Sequence, residues 1–443
     1  MRIVRLANFI MPRSGGLRTA LRCLGEGYLA AGHEPVLVVP GERAGDDLTP
    51  YGRVITVPGP EVPGTGGYRV LLGRRRLGRL LADLRPDRLE VSDRFTLRWT
   101  GRWAREREVP AVMVSHESLT GLLGVAGLPE PAARRLADLF NARSARGYDR
   151  IVCTTAWAAE EFRRIAAPNL VEVPLGVDLD LFHPGARDDA LRARYARPDQ
   201  LLIVHCGRLS TEKEPGRSVA ALAALYRDRV DAVLVVAGDG PLRPRLIEQA
   251  AGLPVRFTRF LDDRSAVAAL LATADVALAP GPIETFGLAA LEALACGTPV
   301  VVNAASALPE VVGDAGVAVR GDFARGVREI IARPEAARRA AARARAERFG
   351  WPASAAGFLA AHGATHCGAL TVHRADFREH QVVTPGEGAR GGAARFTAGP
   401  AGPAPGPAGT PAGAAGAGGR SAGSRAGPAA GDRLEGDPAA ART

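Results

Sequence analysis

Short apolar runs alternate with amphipathic segments along the first 360 or so residues of this chain. Runs at 1–10, 35–40, 53–57, 111–115, 150–155 and 171–174 read as strands, and segments such as 17–31 and 69–84 carry helical spacing between them. Strands that are apolar on both faces and separated by helices predict a parallel sheet covered on both sides. A second series starts near residue 200, with LLIVHCG, AVLVVAGDG, VRFTRFL, DVALAPG, PVVVNAA and GVAVR as its strands. The turn-rich stretch 173–185 separates the two series. The expected fold is therefore α/β, with two doubly wound Rossmann-like domains facing a cleft, at 1–175 and 176–344. Ligands in such sheets bind at the carboxyl ends of strands, so function is expected in the loops that follow them.

Composition changes the picture at the C-terminus. Residues 398–431 are almost wholly Ala, Gly, Pro, Ser, Thr and Arg. Such a segment buries too little apolar surface to offset chain entropy, so 363–443 is expected to be a low-complexity disordered tail. The formal net charge is +10, which favours anionic partners. Six arginines and one aspartate fall between residues 69 and 85. A basic amphipathic helix there, with Arg74, Arg75, Arg76 and Arg79, fits an anionic membrane or a lipid-linked acceptor; a solvated helix face packed on a sheet would look the same. Basic patches interleaved with aromatics are lacking, so nucleic acid is not an expected partner. Five scattered cysteines without CxxC spacing indicate neither zinc nor a disulfide framework, and read as reduced thiols. No run is apolar over the length that spans a bilayer, and no leader precedes the first strand. A cytoplasmic protein is expected, at the inner face of the plasma membrane if the arginine helix touches lipid.

Four loops carry candidate chemistry. Ser14-Gly15-Gly16 follows the first strand and opens a helix, where bare backbone and a helix N-terminus suit a bulky anion, although an ordinary tight turn has the same residues. Gly207-Arg208-Leu209-Ser210-Thr211-Glu212-Lys213 follows the strand LLIVHC. Arg208 and Lys213 can neutralise a departing diphosphate; Lys213 is the only lysine of the chain, which argues against a casual surface cation. The segment 281–292 (GPIETFGLAALE) follows DVALAP. Glu284 can accept from sugar hydroxyls ahead of a helix expected to start at Thr285 or Phe286. The amides of Phe286, Gly287 and Leu288 would then face a phosphate. Glu292, on an otherwise apolar helix, needs a partner, and a ribose diol suits it. His116 follows the strand AVMV and could bond a sugar hydroxyl or steady developing positive charge, although a buried, satisfied histidine or a turn residue would look the same.

GRLSTEK and ETFGLAALEALACGTPVV together resemble the family-4 retaining glycosyltransferases of GT-B fold. SGGLRTA is similar to that family's glycine-rich first loop, and PLGVDLDLFHP to its interdomain signature. The resemblance implies that Arg208 and Lys213 hold the donor diphosphate, that Glu284 contacts the transferred sugar and Glu292 the ribose, and that Gly15 and Gly16 face the phosphates. It makes His116 the active-site histidine. It also implies that 345–362 is a C-terminal helix crossing back to the first domain. Two departures stand out: Ser306-Ala307 replaces a common Gly-Gly before Leu-Pro-Glu, and Glu214 follows Lys213. Within the family, the arginine helix is similar to that of mannosyltransferases building phosphatidylinositol mannosides. The implied donor is a nucleotide sugar, with GDP-mannose first and a UDP-sugar acting on a soluble small molecule or polysaccharide as the alternative.

The implied reaction moves a hexose with retention, by same-face departure and attack. The leaving phosphate can take the acceptor's proton. No Asp-x-Asp motif falls in a suitable loop, so no metal ligands are assigned; Mg is compatible and not required. A pyridoxal-phosphate phosphorylase would need Lys213 as its Schiff base, inside the diphosphate loop. A non-catalytic nucleotide-sugar-binding protein would be marked by loss of Glu284 or of the Arg208–Lys213 pair, and all three are present.

Overall fold

The computed structural model describes residues 1–8, 15–62 and 67–364. The tail from 365 onward lies outside the described residues, as does Ser14. In chain order the first unit comprises β1 (Arg2–Ala7), α1 (Gly16–Ala30), β2 (Glu34–Gly41), β3 (Gly45–Thr49), β4 (Gly52–Pro58), α2 (Arg74–Leu84), β5 (Arg88–Ser92), α3 (Trp99–Arg105), β6 (Ala111–Ser115), α4 (Leu119–Val125), α5 (Glu130–Gly147), β7 (Arg150–Cys153), α6 (Ala156–Arg163) and β8 (Leu170–Glu172). The second continues with α7 (Asp189–Tyr195), β9 (Leu201–Cys206), α8 (Gly216–Arg227), β10 (Ala232–Ala237), α9 (Arg243–Gln249), β11 (Val255–Phe257), α10 (Arg264–Thr273), β12 (Val276–Ala279), α11 (Leu288–Ala295), β13 (Val300–Asn303), α12 (Leu308–Val312), β14 (Val317–Val319), α13 (Phe323–Ile331), α14 (Glu335–Ala346) and α15 (Trp351–Ala361).

Among the described residues the strands form two sheets, ordered β3-β4-β2-β1-β5-β6-β7-β8 and β11-β10-β9-β12-β13-β14. All pairings are parallel except β3 with β4. Each sheet is covered by helices whose apolar faces point inward. Leu77, Leu81 and Leu84 of α2 pack with Val4, Leu6, Val38 and Val91 of the first sheet. Leu222 and Leu225 of α8 and Val327 and Ile330 of α13 pack with Ile203, Leu234 and Val301 of the second.

Two strands escape the sequence pattern. β3 (GDDLT) is a polar edge strand, the kind that blunts unwanted pairing. β5 (RLEVS) is central yet carries a charge: Glu90 is 1% exposed and accepts from Arg5 Nε at 2.8 Å and Tyr28 Oη at 2.7 Å. An apolar-run criterion passes over such a strand, because its buried carboxylate is satisfied by partners distant in sequence.

The helix expected at 69–84 begins only at Arg74, with Gly73 at φ 87° before it. Residues 69–73 are not helical: Arg69 forms an isolated β-bridge with Glu61, and Leu71 N–H donates to Asn8 Oδ1 at 2.7 Å. After α14 the chain returns to the first unit. Val177 N–H donates to Phe349 O at 2.8 Å, and α15 lies on α1. A Cβ on Gly27 would sit 2.4 Å from Ala355 Cβ, so only glycine permits that approach. His362, just past α15, meets Glu90 Oε2 at 3.1 Å.

Candidate active site

The loops after β9 and β12 meet. Lys213, in the turn after β9, reaches Glu284 in the turn after β12, and Nζ donates to Oε1. Desolvation works against the ammonium, but the Glu284 carboxylate outweighs it and holds Lys213 above the ordinary lysine value. The side chains are 36% and 19% exposed, so the pair remains open to a ligand. Arg208 places its guanidinium carbon 4.6 Å from the ring centre of Tyr68, which belongs to the first unit. Tyr68 also contributes to the field at Lys213. Lys213 and Glu284 thus meet directly, and Arg208 shares the neighbour Tyr68 with Lys213. Glu214, a possible damper of this field, is paired with Arg217.

The helix expected from Thr285 or Phe286 starts later, at Leu288. Gly287 is its N-cap at φ 82°, a left-handed conformation that favours glycine. Thr285 cannot join the helix because the first unit holds it: its hydroxyl donates to His116 O at 2.6 Å, and its carbonyl accepts from Thr155 Oγ1 at 2.9 Å. No side chain caps α11, so the amides at its tip, beginning with Leu288, are the ones presented to an anion. Phe286 is 3% exposed and packs edge-on to Phe349. Gly15, at φ 112°, caps α1. A Cβ on Gly16 would lie 3.3 Å from Leu288 Cδ1. The tips of α1 and α11 therefore meet across the cleft, bringing two positive helix ends together.

Glu292 lies about one turn along α11 and is engaged by a residue the sequence did not single out. Arg264, the first residue of α10, donates to Glu292 Oε1 at 3.2 Å and to Thr19 Oγ1 of α1 at 3.1 Å. Desolvation raises the Glu292 carboxyl to about 7 despite this arginine. Its partner in the structure is thus a guanidinium, and a ribose diol would have to share it.

On the opposite wall, His116 follows β6. Its Nε2 lies 3.1 Å from Ser92 Oγ on β5. Desolvation lowers its pKa to about 4, with Arg5 and Arg94 adding to the effect and Glu90 opposing it. At neutral pH His116 is an uncharged hydrogen-bonding group. Its loop is fixed from below by Arg94, which is 1% exposed and donates to Asn141 Oδ1 at 2.7 Å, Ser115 Oγ at 2.6 Å and Glu117 O. Glu161 closes this network, accepting from Ser118 Oγ at 2.8 Å and Thr120 N at 2.8 Å. The adjacent Glu117 carboxyl is pushed up to about 7 by desolvation, which Arg94 only partly offsets. Neither Arg94 nor Glu161 has a local motif; only the burial of charge reveals them.

Arg74, Arg75, Arg76 and Arg79 are all exposed on α2. Arg74, Arg75 and Arg79 border a groove with Trp103 and Arg107, apart from the Lys213–Glu284 pair. The apolar face of α2 is already used by the core, so what the helix presents outward is charge. The Ser306-Ala307 departure is absorbed: Ala307 has φ −70°, which any residue adopts, and its N–H donates to Glu284 O at 2.9 Å.

The chain matches two family models in sequence: "Glycosyl transferase 4-like domain" over residues 15–176 and "Glycosyl transferases group 1" over 187–347. It is 56% identical over 378 residues, 83% of this chain and 98% of the relative, to a GDP-mannose-dependent alpha-(1-6)-phosphatidylinositol dimannoside mannosyltransferase of Mycobacterium tuberculosis. The chain belongs to the family-4 glycosyltransferases. It is also 36% identical to a D-inositol 3-phosphate glycosyltransferase of Geodermatophilus obscurus, over 60% of this chain and 63% of that one. Among solved structures, the sucrose-phosphate synthase of Thermosynechococcus elongatus superposes with a TM-score of 0.64 at 22% identity, covering 81% of this chain and 97% of its own. Anabaena HepE, bound to UDP and glucose, gives 0.64 at 17%, covering 82% and 99%. These likenesses establish the GT-B fold of this family-4 enzyme. Among its described residues, no helix is long and apolar enough to cross a membrane.

Proposed function

We propose that this glycosyltransferase moves mannose from GDP-mannose, with retention, onto a lipid-linked phosphatidylinositol mannoside. The observation that carries the reading is the Lys213–Glu284 pair just ahead of the tip of α11, in a chain that spans 98% of a GDP-mannose-dependent relative at 56% identity. In this reading the donor diphosphate lies between Arg208, Lys213 and the amide tips of α1 and α11 beside Gly15, Gly16, Gly287 and Leu288. Charge that develops on the leaving phosphate is met by cations already in place, which is where a site lowers a barrier most. Glu284 exchanges its bond to Lys213 for the hydroxyls of the transferred sugar. Glu292 turns from Arg264 toward the ribose. Neutral His116 bonds the sugar from the opposite wall without repelling positive charge that develops at the anomeric carbon. The departing phosphate accepts the acceptor's proton. The α2 arginines hold the enzyme at an anionic lipid surface, where its acceptor resides.

A panel of nucleotide sugars tests the donor. GDP-mannose should raise the melting temperature more than UDP-glucose does, and radiolabelled mannose should appear in the lipid fraction with phosphatidylinositol mannoside acceptors. Equal stabilisation by the two donors, with sugar transferred only to soluble acceptors, would favour a UDP-sugar enzyme. Binding without transfer to any acceptor would favour a non-catalytic nucleotide-sugar-binding protein.

A further inference from the structure

One segment of the first unit grips the second at two points. The segment is the turn from β7 into α6. Thr154 and Thr155 both donate through Oγ1 to Thr285 O, at 3.2 and 2.9 Å. Two residues on, the first amides of α6 find a cap from the other unit: Ala156 N–H donates to Glu310 Oε1 at 2.9 Å and Trp157 N–H to Oε2 at 3.1 Å. A helix N-terminus normally takes its cap from its own chain neighbourhood. Here Thr155 caps Ala158 at 3.1 Å, and the two amides it leaves are capped by a carboxylate more than 150 residues away. The Glu310 carboxyl is raised by desolvation, which these two amides only partly offset.

Both grips lead to the sugar-facing groups. Glu310 lies on α12, whose N-cap Ala307 donates its N–H to Glu284 O at 2.9 Å. Thr285, 8% exposed, donates to His116 O at 2.6 Å. The segment 154–157 is thus tied to Glu284 along one route and to His116 along the other. Close packing reinforces the contact: a Cβ on Gly121 would lie 2.6 Å from Ile283 Cγ2.

We infer that Thr285 and Glu310 are positioning residues: a clasp between the two units that sets the spacing of His116 and Glu284 and seals the cleft against water. The inference rests on the reading of those two residues as sugar-facing. Nucleotide-sugar donors hydrolyse when water reaches the activated sugar, and closure is what excludes it. A loosened clasp therefore has a signature that ordinary destabilisation lacks. Transfer slows, donor KM stays nearly constant, and the share of donor lost to hydrolysis grows.

The test uses the full chain with GDP-mannose and a phosphatidylinositol mannoside acceptor. Thr285→Val keeps the carbonyl and the side-chain volume but removes the hydroxyl donated to His116 O. Glu310→Ala removes the cap, and Glu310→Gln keeps one of its two acceptor oxygens. Thr285→Val and Glu310→Ala should lower kcat roughly tenfold or more. Donor KM should stay within about twofold, and the ratio of free mannose to lipid-linked mannose should rise; Glu310→Gln should fall between parent and Glu310→Ala. Hydrogen exchange at Ala156 and Trp157, read without any substrate, should quicken in Glu310→Ala. Variants that keep the parental kcat and hydrolysis ratio overturn the clasp. If the parent transfers nothing from GDP-mannose, the functional reading fails, and the exchange rates still decide whether the clasp holds the units. Unchanged protection at Ala156 and Trp157 then overturns it. Should Glu310→Ala fail to fold, Thr285→Val alone decides.

Discussion

Beside β1 in the first sheet runs a strand with a buried glutamate; beside β9 in the second runs AVLVVA, with nothing to ionise. Around Glu90 the first unit collects Arg5, Tyr28 and His362, all 3% exposed or less. Around Arg94 it collects Asn141, Ser115 and Glu161. The sheet of the second unit is built mainly of Val, Leu and Ala; its buried ionisable groups include His205 on β9, bonded to Ser218, and Asp275, paired with Arg192 and accepting from Leu202 N, while Arg208, Lys213 and Glu284 lie in strand-end loops. The difference separates two uses of charge. In the second unit, the proposed function gives the charge at strand ends to a ligand. In the first unit, buried charge holds the loop bearing His116 and the end of α15.

The sharpest way to break that contrast is to remove Glu90. Glu90→Leu leaves Arg5 buried without its partner, and such a loss costs about 3–5 kcal/mol. The denaturant midpoint should fall accordingly, whereas Arg5→Met combined with Glu90→Leu should recover much of the loss. If Glu90→Leu unfolds at the parental denaturant concentration, the first unit does not depend on its ionic core. Glu284→Ala should do the reverse. Its chemical unfolding should stay within about 1 kcal/mol of the parent, as for substitutions away from packed features. Its kcat for mannosyl transfer should drop about a hundredfold, the scale of loss when a reacting group is no longer held in position. Lys213→Ala should follow it, and wild-type turnover in either variant would move the site elsewhere.

This contrast also explains what could be read from residues alone. The second unit was legible almost strand by strand because its strands are apolar and its motifs sit at their ends. β5 was not legible, because RLEVS looks like a loop until Arg5, Tyr28 and His362 surround it. Glu284 and Lys213 could be named from type and spacing, but not that they bind each other. The start of α11 was misplaced because Thr285 is bound to His116, Thr154 and Thr155, contacts that no local pattern encodes. Arg264 and Glu310 were missed for the same reason: each acts on a partner in a distant stretch of chain.

Acid separates the two uses of charge more gently. Desolvation opposes ionised Glu90, but Arg5, His362 and Tyr28 outweigh it and hold its carboxyl well below the ordinary range. A depressed folded-state pKa contributes stability that is present above the unfolded value, roughly 4.3 for a glutamate, and lost as pH falls through the folded one. Glu292 has the opposite sign. Its carboxyl is raised to about 7, so its ionised form weakens the fold above the unfolded value, and that penalty disappears on acidification. Protonation at Glu292 should instead appear in function. Donor KM should rise several-fold as pH falls through about 7, because the ribose then meets a carboxylic acid in place of a carboxylate. Glu292→Gln should flatten that profile. A parental profile level from pH 8 to 6 would remove Glu292 from donor binding.

The smallest effect is expected at α2. Arg74, Arg75 and Arg76 are exposed, and Leu77, Leu81 and Leu84 already satisfy the apolar face of the helix. Replacing the three arginines by serine should change unfolding by less than about 0.5 kcal/mol. Contact with an anionic bilayer through charge alone is worth about 1 kcal/mol per arginine near the surface and is screened within a Debye length. Flotation with anionic liposomes should therefore weaken in the triple variant at low salt and converge with the parent in high salt. Neutral liposomes should bind neither protein, since no apolar face of α2 is left to insert. A triple variant that floats like the parent at low salt would confine α2 to its packing role, and the charge of the first unit would then serve structure alone.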